Sequence, residues 1–148
     1  MEEELSNILA GISGEYFVAA ELSRRGFITT LTLKNTKGVD ILASDEEAKK
    51  TIAIQVKTTS KNKNEWVLTE KSESFVSDNH YYVFVRLNHL GSPSFHIVPS
   101  LEVANDVKDS HQRWLDTPAK DGSAHNPSSM RIFKDEEDKF KDRWDILK

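Results

Sequence analysis

Thr51-Ile52-Ala53-Ile54-Gln55-Val56-Lys57-Thr58-Thr59 alternates apolar and polar side chains without a break. Successive side chains of a strand point to opposite faces, so Ile52, Ile54 and Val56 form one face and Ala53, Gln55 and Lys57 the other. A glutamine and a lysine thus project together from a strand whose reverse side is apolar. Upstream, Val39-Asp40-Ile41-Leu42-Ala43 has the same period, with Asp40 and Leu42 facing away from Val39, Ile41 and Ala43. The link between the two runs, Ser44–Lys50, is charged and polar, which predicts a hairpin. Aspartate is depleted in strands. Either the strand begins at Ile41, with Lys37-Gly38-Val39-Asp40 as its turn, or the carboxylate stands there for its chemistry. Gln55 and Lys57 also admit a plainer reading, the polar outer face of a half-exposed edge strand.

Working outward, Phe27–Leu33 reads as a strand ahead of this hairpin, and residues 3–25 as helical, with Leu5, Ile8, Leu9, Ile12, Tyr16, Ala19, Ala20 and Leu22 at helical spacing. Gly11 and Gly14 weaken the helix and leave open two short ones, the second capped by Ser13; Gly26 ends the segment. Ile8, Ile12, Glu15, Ala19 and Leu22 share one face. Glu15 then lies within an apolar stripe, where a charge needs compensation, or at its edge in reach of water.

Downstream, Lys71–Asp78 predicts a short helix and His80–Leu87 a buried strand. Gly91-Ser92-Pro93 turns into a strand over Ser94–Val98, and Pro99-Ser100 opens a helix over Leu101–Lys108. Residues 116–129, with Pro118, Gly122 and Asn126-Pro127, read as a long loop. Phe140, Trp144 and Leu147 predict a last helix that docks one apolar face. This order gives an α/β sandwich with a mixed sheet. It is a single domain over residues 1–148, with its motif core at 11–98 and a C-terminal helical extension at 99–148.

The 148 residues are 37% hydrophobic and 30% charged, a globular balance too rich in aromatics for disorder. Cysteine is absent, which excludes disulfides and thiolate metal sites. The acidic start Met1-Glu2-Glu3-Glu4, followed by no long apolar run, argues against a leader or a membrane span, so a cytoplasmic protein without a membrane partner is expected. Net charge is −4, unpromising for a nucleic-acid binder. The distribution is more informative: residues 1–23 hold five acids and no base, whereas residues 24–71 hold ten bases and six acids. A basic region can dock a phosphate backbone locally, although a lysine-rich stretch is also an ordinary wet surface. The five histidines lack metal-ligand spacing and read as structural or surface residues. Arg113, Trp114 and Arg131 serve either loop packing or a substrate cleft. No phosphate-binding glycine loop, serine elbow or cysteine nucleophile is present.

A hairpin sets Asp40 beside Gln55 and Lys57, and a helix packed on the same face would bring Glu15 there. Two carboxylates and an amide oxygen, with the Val56 carbonyl in reach, are hard donors suited to Mg²⁺ or Mn²⁺. Lys57 would neutralise the cluster and assist at phosphorus.

Gly14-Glu15, Ala19/Ala20, Leu22, Gly26-Phe27, Gly38-Val39-Asp40 and Gln55-Val56-Lys57 together resemble the PD-(D/E)xK nuclease superfamily, in particular its Holliday-junction-resolvase-like branch. The likeness spans residues 11–59. It implies a restriction-endonuclease-like three-layer sandwich, a mixed central β-sheet flanked by helices. It also implies metal-dependent phosphodiester hydrolysis, with DNA as the expected nucleic acid. In that family pattern Asp40 is the central metal ligand, Gln55 the second strand ligand, Lys57 the catalytic lysine and Glu15 a helix-borne ligand or supporting base. Thr58 or Thr59 would touch a phosphate. Val39 stands at the family's proline position and Gln55 at its acidic position, a neutral and weaker ligand. The resemblance implies a homodimer, and the acidic surface a partner protein that supplies substrate affinity. The alternative is a non-catalytic module that keeps the fold and binds nucleic acid or a partner protein, as a regulatory or defence-system component.

Overall fold

The computed structural model describes residues 4–33 and 36–148. Helix α1, Asn7–Arg24, is one continuous helix. Its N-cap is Ser6, whose hydroxyl accepts from the Leu9 N–H at 3.2 Å. Ser13 caps nothing; its hydroxyl donates to the Leu9 carbonyl one turn back. At the other end Gly26 takes φ +95°, and Gly26 and Phe27 donate to the Ser23 and Leu22 carbonyls. That is a Schellman closure, which a glycine at this position favours.

Strands β1 (Ile28–Leu31), β2 (Ile41–Ser44) and β3 (Thr51–Thr59) form an antiparallel meander. β4 (Glu65–Thr69) then leaves this sheet, and a 3-10 turn spans Glu70–Glu73 where the sequence predicts a short helix. β5 (His80–Arg86) returns parallel to β3, and β6 (Ser94–Pro99) pairs antiparallel with β5. The central sheet therefore has the mixed order β1-β2-β3-β5-β6. Helix α2 runs over Ser100–Asp116, two turns beyond the predicted end, and β7 (Met130–Lys134) pairs with β4 as a separate two-stranded ribbon.

Two apolar layers follow from the alternation of the strands. On one face Ile41, Ile52, Ile54 and Val56 pack with Ala10, Val18 and Leu22 of α1. On the other, Tyr82, Phe84 and Val98 pack with Val103 and Val107 of α2 and with Trp66, Leu68 and Phe133 of the ribbon. Burying each such side chain contributes roughly 1.5–3 kcal/mol. No helix among the described residues is long and apolar enough to cross a membrane.

Three expectations change. The buried row of α1 is Ala10, Gly14, Val18 and Leu22, with Ile8 exposed and Glu15 on the flank. The row is set by Gly14: a Cβ there would lie 1.8 Å from Thr58 Oγ1, so the helix touches β3 most closely at its glycine. α1 also lies on the Ile52–Ile54–Val56 face, opposite to Gln55 and Lys57, because that face carries the apolar area. The predicted last helix is a 3-10 turn over Trp144–Leu147 only, and the C-terminal part contains strand β7. Asp138 and Asp142 adopt φ of 56° and 55°, which interrupts any helix through Phe140. Instead the Phe140 carbonyl accepts from Ile97 N–H and Asp142 N–H donates to the Phe95 carbonyl, so this segment covers the β6 edge.

Candidate functional site

Asp40 sits one residue ahead of β2, at the point where the hairpin ladder begins. Its N–H donates to the Ile54 carbonyl at 2.8 Å, and its carbonyl accepts from Thr32 N–H at 2.9 Å. The side chain turns back to β3, where Oδ2 accepts from the Val56 N–H at 2.7 Å. That bond fixes the carboxylate beside the stretch that carries Gln55 and Lys57. Glu15 of α1 comes within interaction range of the same carboxylate.

Burial raises the Glu15 pKa first, and the Asp40 charge and a hydrogen bond shared with Asp40 raise it further. Asp40 is also raised, by burial, against the lowering influence of the Val56 N–H, the Lys57 charge, the Glu15 hydrogen bond and His80. Two partly buried carboxyls that oppose each other share a proton or call for a cation.

The approach to Asp40 is rigid. Gly38 adopts φ +66°, and a Cβ there would stand 2.8 Å from the Phe75 ring. The Gly38 carbonyl accepts from His80 Nε2 at 2.6 Å, and His80 meets Phe75 edge-on at 4.7 Å between ring centres. Burial lowers the His80 pKa, against the opposing influence of Gly38 and Asp40, which leaves the ring neutral and Nε2 the donor.

Gln55 and Lys57 open onto a cavity of about 370 Å³ that Lys37, Lys71, Phe75 and Tyr82 also line. Of these, only Gln55 and Lys57 stand out in the sequence. Tyr82 is their register neighbour on β5, paired with Gln55, and is hidden within an apolar run. Thr58 faces α1, with its hydroxyl buried against Gly14 and without a hydrogen-bond partner among the described residues. Thr59 accepts from the Lys61 N–H at 3.1 Å.

Arg113, Trp114 and Arg131 border a different groove, between α2 and β7. Arg131 is buried and donates from Nε to Glu73 at 2.7 Å, which ties β7 to the 3-10 turn. Trp114 stacks with His125 at 4.1 Å and His111 at 5.5 Å. His96 is buried and donates to Asp135 Oδ2 at 2.7 Å.

Among the described residues no group of three or more His, Cys, Asp or Glu side chains converges as a metal cage. Asp40 and Glu15 do not line the cavity that Gln55 and Lys57 open onto. The candidate donors, two carboxylates and an amide, are hard oxygen groups of the kind that fits Mg²⁺ or Mn²⁺, whose shell water completes. No protein-family model and no curated protein matches the chain. Among solved structures it is similar to the bacterial homing endonuclease I-Ssp6803I, with 15% identity and a TM-score of 0.57 over 97% of this chain and 93% of that one. It is also similar to Hjc, a Holliday junction resolvase from Archaeoglobus fulgidus, with 13% identity and a TM-score of 0.50 over 84% of each chain. With its mixed five-stranded sheet between α1 on one face and α2 with the ribbon on the other, the chain has the restriction-endonuclease-like fold, the fold of the superfamily that its motifs resemble.

Proposed function

We propose that the chain is a divalent-metal-dependent nuclease that hydrolyses phosphodiester bonds in DNA. The observation that carries this reading is the meeting of the Glu15 and Asp40 carboxyls at the start of β2, where Asp40 is held by the Val56 N–H between Gln55 and Lys57 of β3. A fold gains no stability by opposing two half-buried carboxyls, and a cation between them turns the repulsion into binding. The likeness to two nucleases supports the same reading.

When bound, Mg²⁺ or Mn²⁺ supplies Lewis-acid stabilisation of phosphoryl charge and a nucleophilic water at neutral pH. Asp40 is the central ligand, held by the Val56 N–H. Gln55 offers its amide oxygen, the Val56 carbonyl a backbone donor, and Glu15 a second carboxylate able to ligate or to accept a proton. Lys57 turns its ammonium toward the charge that grows on phosphorus. A phosphate contact falls more readily to Thr59 than to Thr58, which is packed under α1.

A homodimer is the assembly we favour, because Ile8, Leu9, Tyr16 and Phe17 leave the outer side of α1 apolar and exposed. A two-fold contact would cover the same patch on both subunits. A partner protein that supplies substrate affinity is the alternative cover, and sedimentation of the purified chain separates the two.

The test is cleavage of labelled duplex, single-stranded and branched DNA and of RNA with Mg²⁺ or Mn²⁺, wild type against Lys57→Ala. Metal-dependent cutting lost in the variant is the expected result. The neutral Gln55 favours a second reading, a binding module of the same fold; nucleic-acid association without cutting by folded wild type is its signature.

A further inference from the structure

Three lysines line the cavity beside the candidate site: Lys57 from β3, Lys37 from the turn ahead of β2, and Lys71 from the 3-10 turn. Among the described residues neither Lys37 nor Lys71 has an ion-pair partner. Hydrolysis needs one lysine at phosphorus. Two more from separate elements, around one cavity of an acidic protein, repel one another unless an anion sits among them.

Tyr82 is the second and independent observation. It is 1% exposed, stacked on Phe84 and edge-on to His80, and it lines the cavity beside Gln55. Its ring is packed between those of His80 and Phe84, which fixes where the phenol sits in the cavity wall. Tyr82 lines the cavity with an O–H that no described residue engages, so it is free to donate to a ligand oxygen.

We propose that this cavity seats a phosphate of the substrate strand next to the scissile one. Lys37 and Lys71 are its positioning cations and the Tyr82 hydroxyl is the neutral donor at its floor. The proposal rests on the nuclease reading for the neighbouring phosphate and adds residues to it. The 370 Å³ volume suits one phosphate with part of its nucleoside.

The experiment measures fluorescence anisotropy of labelled duplex and single-stranded DNA with the full chain, in chelator, from about 50 to 200 mM salt. Each neutralised phosphate adds about 0.9 to the slope of log K against log salt on duplex, and about 0.7 on single strands. The double variant Lys37→Ala/Lys71→Ala should flatten the slope by about that amount with an unchanged melting temperature. Both lysines are exposed, so folding is not at stake. Tyr82→Phe should weaken binding by about fivefold, the worth of one hydrogen bond, with the slope unchanged. Wild-type slope and affinity in all three substitutions would overturn the phosphate seat and leave the nuclease reading standing. Failure of folded wild type to bind any nucleic acid would overturn the phosphate seat, and the nuclease reading would then be judged by the metal-dependent cutting assay alone.

Discussion

Replacing Asp40 by Asn should leave the metal-free protein more stable while removing its function. The amide oxygen can keep the bond from the Val56 N–H that Asp40 Oδ2 now accepts at 2.7 Å. The amide nitrogen can face Glu15 and donate where two carboxyls are now opposed. The exchange removes one partly buried charge and adds one hydrogen bond, worth about 1 kcal/mol. For a domain of this size that is a rise in melting temperature of about 2–4 °C. Asp135 is the internal contrast: its carboxylate accepts from His96 Nδ1 and from the Lys139 and Phe140 N–H groups, all at 3.0 Å or less. Asp135→Ala strands those donors in a buried place and should cost about 3–5 kcal/mol, or about 6–20 °C. Scanning calorimetry at neutral pH in chelator reads both. Mg²⁺ should then raise the melting temperature of wild type and leave Asp40→Asn where it was. If Asp40→Asn instead falls by several degrees, Asp40 is a structural residue and the site as drawn is wrong.

Gln55→Glu should lower the Mg²⁺ concentration for half-maximal cutting by about tenfold, since a carboxylate replaces a neutral ligand; an unchanged midpoint in a metal titration would exclude Gln55 from the metal. Gly14→Ala should lower the melting temperature despite a propensity gain of about 1 kcal/mol, because the added Cβ meets Thr58 Oγ1. Thr58→Ala in the same chain should recover part of the loss, a coupling that thermal melts of the double-mutant cycle would quantify. The pKa values of Glu15 and Asp40 are both raised above 4.5 and 3.8, so the folded state holds protons that the unfolded state releases. Their contribution is complete below those values and is lost as pH rises through the raised ones. Metal-free wild type should therefore lose stability upward from about pH 4, with Mg²⁺ restoring more of it at higher pH; equilibrium unfolding against pH, compared with Asp40→Asn, isolates this contribution.

Period-two patterns were legible wherever the apolar residues point inward. β3 reads directly from Ile52, Ile54 and Val56, and with it the projection of Gln55 and Lys57 to the other side. β7 inverts the rule: Arg131 and Phe133 face in while Met130 and Ile132 face out, and the inward arginine is tolerated because Glu73 meets it. β4 hides its Trp66 and Leu68 within a short, polar surrounding. The spacing of Phe140, Trp144 and Leu147 imitates a helix, yet Phe140 packs with the α2 layer and Trp144 and Leu147 with the α1 layer. That chain passes round the sheet edge, and periodicity carries no sign of which layer a residue joins. The row that α1 turns to the sheet differs from the apolar stripe for a related reason. Side-chain spacing marks apolar residues, whereas docking was decided by Gly14, which has no side chain.

The C-terminal third bears on the candidate site through the ribbon. Among the described residues β4 pairs only with β7, and Leu68 stands opposite Arg131 in that register. Leu68 lines the cavity, and the next turn of chain carries Lys71. Arg131 then reaches beyond its own pair to Glu73, so one buried guanidinium holds both the strand and the turn that follows it. The opposite wall is held from β5, where His80 grips the Gly38 carbonyl ahead of Asp40. Of the cavity lysines, Lys71 is thus supported from β7, whereas Lys37 and Lys57 share the hairpin with Asp40. Lys71 can therefore vary independently of the proposed metal-binding donors. On these terms a neutral residue at position 55 is compatible with a working site, because substrate held by its own cations adds phosphate oxygens to a metal that the protein alone would bind weakly.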